Sequence, residues 1–342
     1  MSPDTGATTS DRPVTVSLVA FSDATISSLG GIYEALFSFE AVRTHEDAVA
    51  DPAPFDVEIA AAEDGPLITP SGFPVRPDRT IGEDDDPDIV IVPGIVVEGG
   101  GWVPGRYPEV VDWLVAMHRN GAILCSACSG GLLLAETGLL DGLEATVHWA
   151  FEDTFRQLFP KVELRTEEVL VASGADEEFV MSGASASWQD LVLYLMTRFA
   201  GPVSTRAVER FLLLQRHPEG QAPYMVFRPP TDHGDAAVRE VQEWLADEYT
   251  ISSPVEEMVR RSGLAARTFK RRFKEATGYT PIAYVQHLRV QRAKQQLEST
   301  DRSVDRISWR VGYRDPSFFR RLFKRLAGTT PSAYRRKFRP ST

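Results

Sequence analysis

The stretch Arg271-Arg-Phe-Lys-Glu-Ala-Thr-Gly-Tyr-Thr-Pro-Ile-Ala-Tyr284 decides the fold of the C-terminal third, because the chain contains a second copy of it. The copy, Arg321-Leu-Phe-Lys-Arg-Leu-Ala-Gly-Thr-Thr-Pro-Ser-Ala-Tyr334, lies 50 residues later, and upstream Ser262-Gly-Leu264 corresponds to Val311-Gly-Tyr313 at an offset of 49. Each copy predicts a short helix, a glycine turn and a second helix, as in a helix-turn-helix unit. Two copies are too few for a stable solenoid, so the repeat predicts a pair of such units.

Helix-start signals support an all-helical reading of this region. Ser253-Pro-Val-Glu256 combines a capping serine, a proline at the first helical position and a glutamate at the third. The same cap-then-proline device recurs at Thr280-Pro281, Asp315-Pro316 and Thr330-Pro331.

The second helix of each copy has one apolar and one cationic face. We expect apolar packing within each copy, of Phe269, Phe273 and Ala276 on Met258 and Val259, and of Phe319 and Phe323 on Ile307 and Val311. The other faces predict contacts with guanine edges and phosphates in the major groove, from Arg267, Thr268, Lys270, Arg271, Lys274, Arg314, Ser317, Arg320, Arg321 and Lys324. A solvated charged surface is the alternative.

A connecting helix over Ile282–Leu297 joins the two units, with Ile282, Val285, Leu288 and Leu297 as its expected buried side. At about 1.5 Å per residue it spans about 24 Å. That length suits two helices entering successive major grooves, about 34 Å apart, on bent DNA.

Charge is divided unevenly along the chain. The whole has a net charge of −11, but residues 1–228 hold 14 basic and 35 acidic side chains, whereas residues 229–342 hold 23 and 13. Such asymmetry indicates a basic nucleic-acid or membrane-facing module joined to an acidic one. The Pro- and Gly-rich stretch around Arg228–Asp235 predicts the linker between them.

The N-terminal two thirds alternate apolar runs with amphipathic segments, which predicts an α/β sandwich with a mostly parallel sheet. Expected strands are Val14–Phe21, Phe55–Ala61, Asp88–Pro93 and Ala122–Cys128, and expected helices are 27–39, 107–119, 130–138 and 185–199. Sites in such sheets lie at the carboxyl ends of the strands.

Cys128 occupies such a position. Ile123-Leu-Cys-Ser-Ala-Cys-Ser-Gly-Gly-Leu-Leu-Leu134 runs from a strand into a helix, which is the layout of a nucleophile elbow. A helix N-terminus would lower the pKa of the thiol, and Gly94 would supply a second N–H to an anion. Cys125 is expected to be a buried apolar residue, and a packing role remains open for Cys128. A lone C-x-x-C without a second pair or a His cluster predicts no metal site.

The C-terminal region resembles the AraC/XylS DNA-binding domain. The resemblance covers about 100 residues and rests on Ser262-Gly-Leu, Phe269, Arg271, Phe273-Lys, Gly278, Pro281 and Tyr284, and on Val311-Gly-Tyr-Arg-Asp-Pro-Ser-Phe-Phe, Phe323-Lys-Arg, Gly328, Pro331 and Tyr334. It implies sequence-specific binding to promoters, often as a dimer.

The N-terminal region resembles the ThiJ/PfpI, or glutamine-amidotransferase-like, proteins, whose fold is flavodoxin-like. The match is strongest over Ala127–Trp149, with Gly31-Ile-Tyr-Glu-Ala-Leu36 and Glu219-Gly-Gln-Ala222 in addition. The resemblance implies a ligand pocket lined by Glu34, Gly94, Cys128, Ser129 and His148. A structural histidine is the alternative for His148. Met181-Ser-Gly-Ala-Ser-Ala-Ser-Trp188 departs from the usual Thr-Ser-Ala-Gly motif, and Ser182 and Trp188 are further pocket candidates.

Together the two resemblances give the arrangement of the GlxA-like regulators of the AraC/XylS family. We expect a ligand-sensing domain at 14–228, a linker at 229–236 and a DNA-binding domain at 237–338. The implied partners are double-stranded promoter DNA, a small and possibly nitrogenous metabolite, and a second copy joined through the N-terminal domain.

We expect no cofactor and no catalytic residue. The N-terminus lacks a signal-peptide pattern and no apolar run is long enough to cross a bilayer, so we expect a cytoplasmic protein with no membrane partner. A Cys-dependent hydrolase or hydratase carrying a DNA-binding domain, and a nucleoid or RNA-binding protein, are the other hypotheses.

Overall fold

The computed structural model describes residues 12–46, 49, 53–97 and 101–339. The chain divides into two compact units, Met1–Gln221 and Ala222–Thr342. This division comes earlier than residue 228, where we expected the first domain to end. The physical reason is Lys294, whose Nζ donates hydrogen bonds to the carbonyl oxygens of Ala222, Pro223 and Met225 at 2.9–3.1 Å. These bonds attach the segment to the second unit.

A seven-stranded sheet forms the centre of the first unit, in the order β10-β11-β7-β6-β1-β2-β5. Pairing is parallel throughout except between β10 and β11. The bounds of these strands are β1 Val14–Ala20, β2 Phe55–Ala61, β5 Arg79–Thr80, β6 Ile89–Val92, β7 Ile123–Ala127, β10 Leu170–Ser173 and β11 Phe179–Ser182. Two small two-stranded sheets pair β3 Leu67–Ile68 with β4 Pro74–Val75, and β8 Glu144–Ala145 with β9 Glu163–Leu164.

The helices of the first unit are α1 Ile26–Phe37, α2 Phe39–Arg43, α3 Pro108–Arg119, α4 Gly130–Glu136, α5 Glu152–Leu158 and α6 Trp188–Leu212. The mostly parallel sheet with flanking helices confirms the predicted α/β class. All four predicted strands and all four predicted helices are present, although α6 extends well beyond residue 199 through a kink at Gly201. β6 is fully buried, which explains why its sequence is apolar without alternation.

The second unit is helical among its described residues. Its helices are α7 Ala236–Glu248, α8 Pro254–Ser262, α9 Ala266–Thr277, α10 Pro281–Ser299, α11 Val304–Arg310, α12 Pro316–Ala327 and α13 Pro331–Phe338. The pairs α8–α9 and α11–α12 are the two predicted helix-turn-helix units. The first helix of each pair ends in a glycine turn, at Gly263 and Gly312, where φ is +64° and +89°.

Three of the four predicted caps form. Thr280, Asp315 and Thr330 each accept a hydrogen bond from a backbone N–H in the first turn of the following helix. Ser253 makes no such bond. Its backbone, at ψ 63°, is far from the extended value near 150° found at Thr280 and Thr330, so its hydroxyl is not aimed at the helix.

Each unit of the pair has its own apolar cluster. Phe269 and Phe273 are fully buried with Met258, and Phe319 and Phe323 are fully buried with Ile307 and Val311, as the face analysis predicted. On α10, Val285, Leu288 and Leu297 are buried, but Ile282 is 49% exposed, which contradicts its assignment to the buried side. Ile282 lies in the first turn beside Pro281, and Pro281 is buried instead.

Candidate nucleic-acid interface and candidate ligand site

The cationic face of α9 is presented to solvent because the opposite face, with Phe269 and Phe273, fills the core. Four of its five predicted DNA contacts, Arg267, Lys270, Arg271 and Lys274, are exposed, and Thr268 is half-buried. Arg271 forms an ion pair with Glu275, one turn away on α9, at 2.8 Å between Nη1 and Oε2. An exposed pair of this kind contributes little stability and can exchange for a phosphate or a base.

The corresponding face of α12 is exposed at all five predicted positions, which are Arg314, Ser317, Arg320, Arg321 and Lys324. Arg320 forms an ion pair with Asp305 of α11. Arg314 precedes the helix, in the turn between α11 and α12. Nine of the ten predicted side chains are thus exposed to solvent on the two helix-turn-helix units.

Arg289, on the connecting helix α10, ties the two helix-turn-helix units to each other. Its guanidinium is buried and donates to the carbonyl oxygens of Tyr249 and Ile251, ahead of α8, and of Gly312, between α11 and α12. Burial lowers the pKa of Arg289 from its ordinary value, but an arginine remains charged at neutral pH. No sequence pattern marks Arg289, because it is one of several charged residues spread along α10.

Cys128 lies in the turn between β7 and α4, with its backbone in the left-handed region at φ +57°. Its N–H donates to the carbonyl oxygen of Ser182, and its Sγ lies 3.5 Å from the Ser185 hydroxyl. This sharp strand-to-helix turn has the geometry predicted for an elbow.

The predicted activation of the thiol is wrong in direction. Cys128 is only 5% exposed, and burial raises the pKa of its thiol despite the hydrogen bonds of Ser185 and Ser129. Burial also raises the pKa of Cys125, which is fully buried in the sheet as expected. A neutral thiol is a poor nucleophile.

Gly94 and Ser129 lie beside Cys128, but their polar groups already have partners. The Gly94 N–H donates to the Ser28 hydroxyl at 3.0 Å, so it is not free for an anion as we expected. A Cβ at Gly94 would lie 2.6 Å from the Thr25 hydroxyl and 3.3 Å from the Cβ of Cys128, so this close approach requires glycine. Ser129 donates to the carbonyl oxygen of Ile95 and accepts from its N–H, which holds the segment after β6 against the elbow.

The other two predicted pocket residues differ in exposure: His148 is half-buried and Glu34 is exposed. His148 is half-buried between the rings of Trp149 and Phe151, and its Nδ1 accepts a hydrogen bond from the Ala150 N–H. Burial lowers the pKa of His148, so the ring is neutral with its proton on Nε2. Glu34 is exposed on α1.

Gln221 holds the loop that carries His148, a role that sequence reasoning missed. The buried amide accepts from the Trp149 N–H and donates to the carbonyl oxygens of Val147 and Thr166. A Cβ at Gly183 would lie 2.0 Å from the Gln221 Nε2, which explains the glycine there. The stretch Glu219-Gly-Gln-Ala222 was the available signal.

The other candidates from the second glycine motif have structural surroundings. Ser182 is buried, and its carbonyl oxygen accepts from Cys128. Trp188 packs closely against Gly31 of α1, where a Cβ would approach the indole to 2.6 Å. Ser185, which we did not single out, is the residue of this motif whose side chain contacts the thiol.

Within the described ranges, no group of three or more His, Cys, Asp or Glu is arranged to hold a metal ion. In the same part of the chain, no helix is both long and apolar enough to cross a bilayer.

Two family models match separate parts of the chain. The DJ-1/PfpI family matches residues 33–184, which include the elbow and the His148 loop. A helix-turn-helix domain matches residues 258–337, which include both cationic faces.

Relatives match across both parts. The chain is 29% identical over 277 residues to the HTH-type transcriptional regulator CdhR of Pseudomonas aeruginosa, covering 80% of each protein. It is 26% identical over 243 residues to the HTH-type transcriptional regulator GlxA of Rhizobium meliloti, covering 67% of this chain and 72% of that one. A crystal structure of a protein from Vibrio parahaemolyticus has the same fold over 59% of this chain and 100% of its own, with a TM-score of 0.50 and 23% identity. The chain therefore joins an N-terminal domain of the DJ-1/PfpI family to a C-terminal helix-turn-helix domain of the AraC type.

Proposed function

We propose that the protein is a transcriptional regulator that binds specific promoter sequences and responds to a small metabolite bound in its N-terminal unit. The observation that carries the proposal is the pair of exposed cationic faces on α9 and α12, which are related by the internal repeat. The relatives CdhR and GlxA are both HTH-type transcriptional regulators. A protein that binds promoters would act in the cytoplasm, where the chromosome lies.

The side chains on these two faces are suited to contacts with DNA bases. Arginine and lysine side chains bind phosphates and the O6 and N7 atoms of guanine, and a helix fits the major groove. Buried phenylalanines on the opposite face of each helix fix how the cations are presented. Arg289, which joins the two helix-turn-helix units, fixes one relative to the other.

Selection of genomic fragments by the full-length protein tests DNA recognition. We expect enrichment of a defined sequence, and loss of specific affinity by about 1–3 kcal/mol in Arg321→Ala and in Arg271→Ala if these side chains contact bases. Arg239→Ala is the matched control, since Arg239 is an exposed arginine on α7, outside both helix-turn-helix units. Equal loss on random DNA would assign the two arginines to phosphates, and enrichment of no sequence would refute the proposal.

We propose that the metabolite binds at the carboxyl edge of the sheet, beside the Cys128 turn, within reach of Glu34 and His148. The neutral Nε2–H of His148 would donate to a ligand oxygen, and a carboxylate at Glu34 suits a nitrogenous cation. The backbone bonds of Gly94 and Ser129 support a role in shaping this edge rather than in polar contact.

Thermal-shift screening of amino acids and quaternary amines against the full-length chain tests this site. A ligand at 100 times its dissociation constant should stabilise the protein by about 2.7 kcal/mol. The stabilisation should weaken in His148→Asn and Glu34→Gln, and the ligand should change DNA affinity or transcription. Binding that leaves both unchanged would refute a sensing role.

A homodimer formed through the N-terminal unit completes the proposal. That unit exposes large apolar side chains at Phe37, Ile68 and Phe73, each about 60% accessible to solvent, and a second copy would cover such groups. Light scattering tests this on the wild type and on the double variant Ile68→Asp with Phe73→Asp. We expect a dimer for the wild type and a weaker dimer for the double variant. A wild type that is monomeric at micromolar concentration would contradict the proposal.

The left-handed turn at Cys128 favours a second candidate, a Cys-dependent hydrolase or hydratase with a DNA-binding domain. Two observations oppose it and support a regulator that is not an enzyme. Burial keeps the thiol protonated, and Nδ1 of His148 is occupied by a backbone N–H. Turnover of amide, isonitrile or glyoxal substrates by the wild type, and its loss in Cys128→Ser, would instead establish the enzyme.

A further inference from the structure

Phe318 is an apolar side chain within the cationic face of α12. Its ring is 41% exposed, whereas the adjacent Phe319 is fully buried, so the two phenylalanines point to different sides of the helix. Arg321 follows Phe318 by three positions, and this i, i+3 spacing places the two on the same side of a helix. The face therefore combines charged groups with one aromatic ring.

The internal repeat gives this position a counterpart. At the offset of 50 residues, Phe318 corresponds to Thr268 of α9, just as Arg321 corresponds to Arg271. Thr268 lies among the residues that we expect to contact DNA. By this correspondence, we expect Phe318 to lie at the groove as well.

One side of the Phe318 ring is supported. The Tyr313 ring lies 5.8 Å away between centroids, and Tyr313 is itself buried above the Arg289 guanidinium at 5.1 Å. Through Tyr313, these contacts connect Phe318 to the buried arginine that joins the two helix-turn-helix units. The ring is therefore held in position while its other side faces solvent.

A phenylalanine ring cannot donate or accept a conventional hydrogen bond, so it cannot read the hydrogen-bonding groups at the edges of the bases. The one strongly apolar group in the major groove is the C5 methyl of thymine, and phenylalanine is among the side chains that pack on it. We propose that Phe318 recognises a thymine methyl group and so specifies one base pair that the surrounding arginines do not. This inference rests on the proposed DNA binding by α12.

The test uses the full-length protein and the sequence it selects. Each thymine of that sequence is replaced in turn by deoxyuridine, which removes the methyl group and leaves the Watson–Crick pairing unchanged. At one thymine, wild-type affinity should fall about threefold to fivefold, the value of one buried methyl group. Phe318→Ala should bind the methylated and unmethylated duplexes equally at that position, and Phe318→Leu should retain the difference.

Arg321→Ala is the control, since it should lower affinity for both duplexes and keep their ratio. Thermal melting of each variant shows that loss of the ratio does not come from unfolding. If the wild type selects a sequence but Phe318→Ala keeps every deoxyuridine effect, the inference is wrong and the proposed function stands. If the wild type selects no sequence, both are wrong.

Discussion

At the level of single residues, Cys128 has the backbone geometry of a nucleophile but not a reactive thiol. Its backbone adopts the strained left-handed turn typical of a nucleophile, yet its thiol is buried and hydrogen-bonded to a serine. A family that contains enzymes can keep such a turn for its shape alone, because Ser129 of the turn also holds Ile95, in the segment that follows β6.

Alkylation measures the state of this thiol. Because burial raises the pKa of Cys128 and of Cys125, we expect iodoacetamide to label neither cysteine rapidly in the native protein at pH 7. Both should react once the protein is unfolded in urea. Rapid labelling of Cys128 in the native state would contradict the assignment of a neutral thiol.

His148 predicts a pH dependence. Burial lowers the pKa of His148 in the folded state below its ordinary value of 6.5, so the unfolded chain takes up the proton first. Stability from the neutral ring is present above about pH 6.5 and is lost as the pH falls through the folded pKa. The melting temperature of the N-terminal unit should fall between pH 7 and 5, and fall less in His148→Asn, whose side-chain oxygen still accepts from Ala150. An equal fall in both proteins would contradict this.

Lys294 is a buried ammonium whose three N–H groups match three carbonyl oxygens of the segment Ala222–Met225. Burial lowers the pKa of Lys294 to about 8, so the group still carries its three protons at pH 7. Lys294→Met should destabilise the second unit by about 2–3 kcal/mol in urea unfolding, because the carbonyls lose their donors. Lys324→Met, the same change at an exposed position, should have little effect. Similar unfolding midpoints for the two variants would refute the attachment.

At the level of elements, much of the fold was predictable because each signal was local. The capped prolines, the glycine turns and the repeat marked α9 to α13, and apolar runs marked β1, β2, β6 and β7. Strands of two residues, such as β5, have no periodicity to detect. β11 was missed because its partner β7 is distant in sequence, and β10 because it is an edge strand of only four residues.

The candidate site was less predictable, because most of its contacts join residues that are distant in sequence. Exposed faces on α9 and α12 follow from helical spacing, which one sequence reveals. Three buried side chains donate hydrogen bonds to backbone carbonyl oxygens elsewhere in the chain: Arg289, Lys294 and Gln221. Every residue has a carbonyl oxygen, so the sequence does not indicate which ones serve as partners. The protonation state of Cys128 depends on burial, which spacing alone does not determine.

Two glycine turns allow a matched test of backbone strain. Gly263 and Gly312 occupy equivalent turns, and both have positive φ, but a Cβ at Gly263 would meet open space. At Gly312 it would lie 2.8 Å from the Thr250 carbonyl oxygen and 3.0 Å from Arg289 Cζ. Gly263→Ala should cost about 1 kcal/mol, and Gly312→Ala roughly 2 kcal/mol more, in urea unfolding. Equal costs would show that the Thr250 contact relaxes freely.

At the level of the whole molecule, charge is segregated between an acidic first part and a basic second part. A chain with a net charge of −11 would otherwise be repelled by DNA. We expect specific affinity to fall steeply with salt, with a slope of log affinity against log salt of about −0.9 for each phosphate neutralised. Binding measured from 50 to 300 mM salt gives this slope, and a flat dependence would contradict phosphate contact by the cationic faces.

The two helix-turn-helix units are similar but not interchangeable. Asp315 caps α12, whereas Ala265 at the equivalent place provides no cap, and Phe318 stands where α9 has Thr268. Each chain of this kind would read two dissimilar half-sites, so the stretch of DNA that one chain binds has a left and a right end. Such a site can be written into a promoter in either direction. Inverting it would keep the affinity and reverse which end faces the start of transcription, so a regulator built this way could distinguish a gene from its divergently transcribed neighbour.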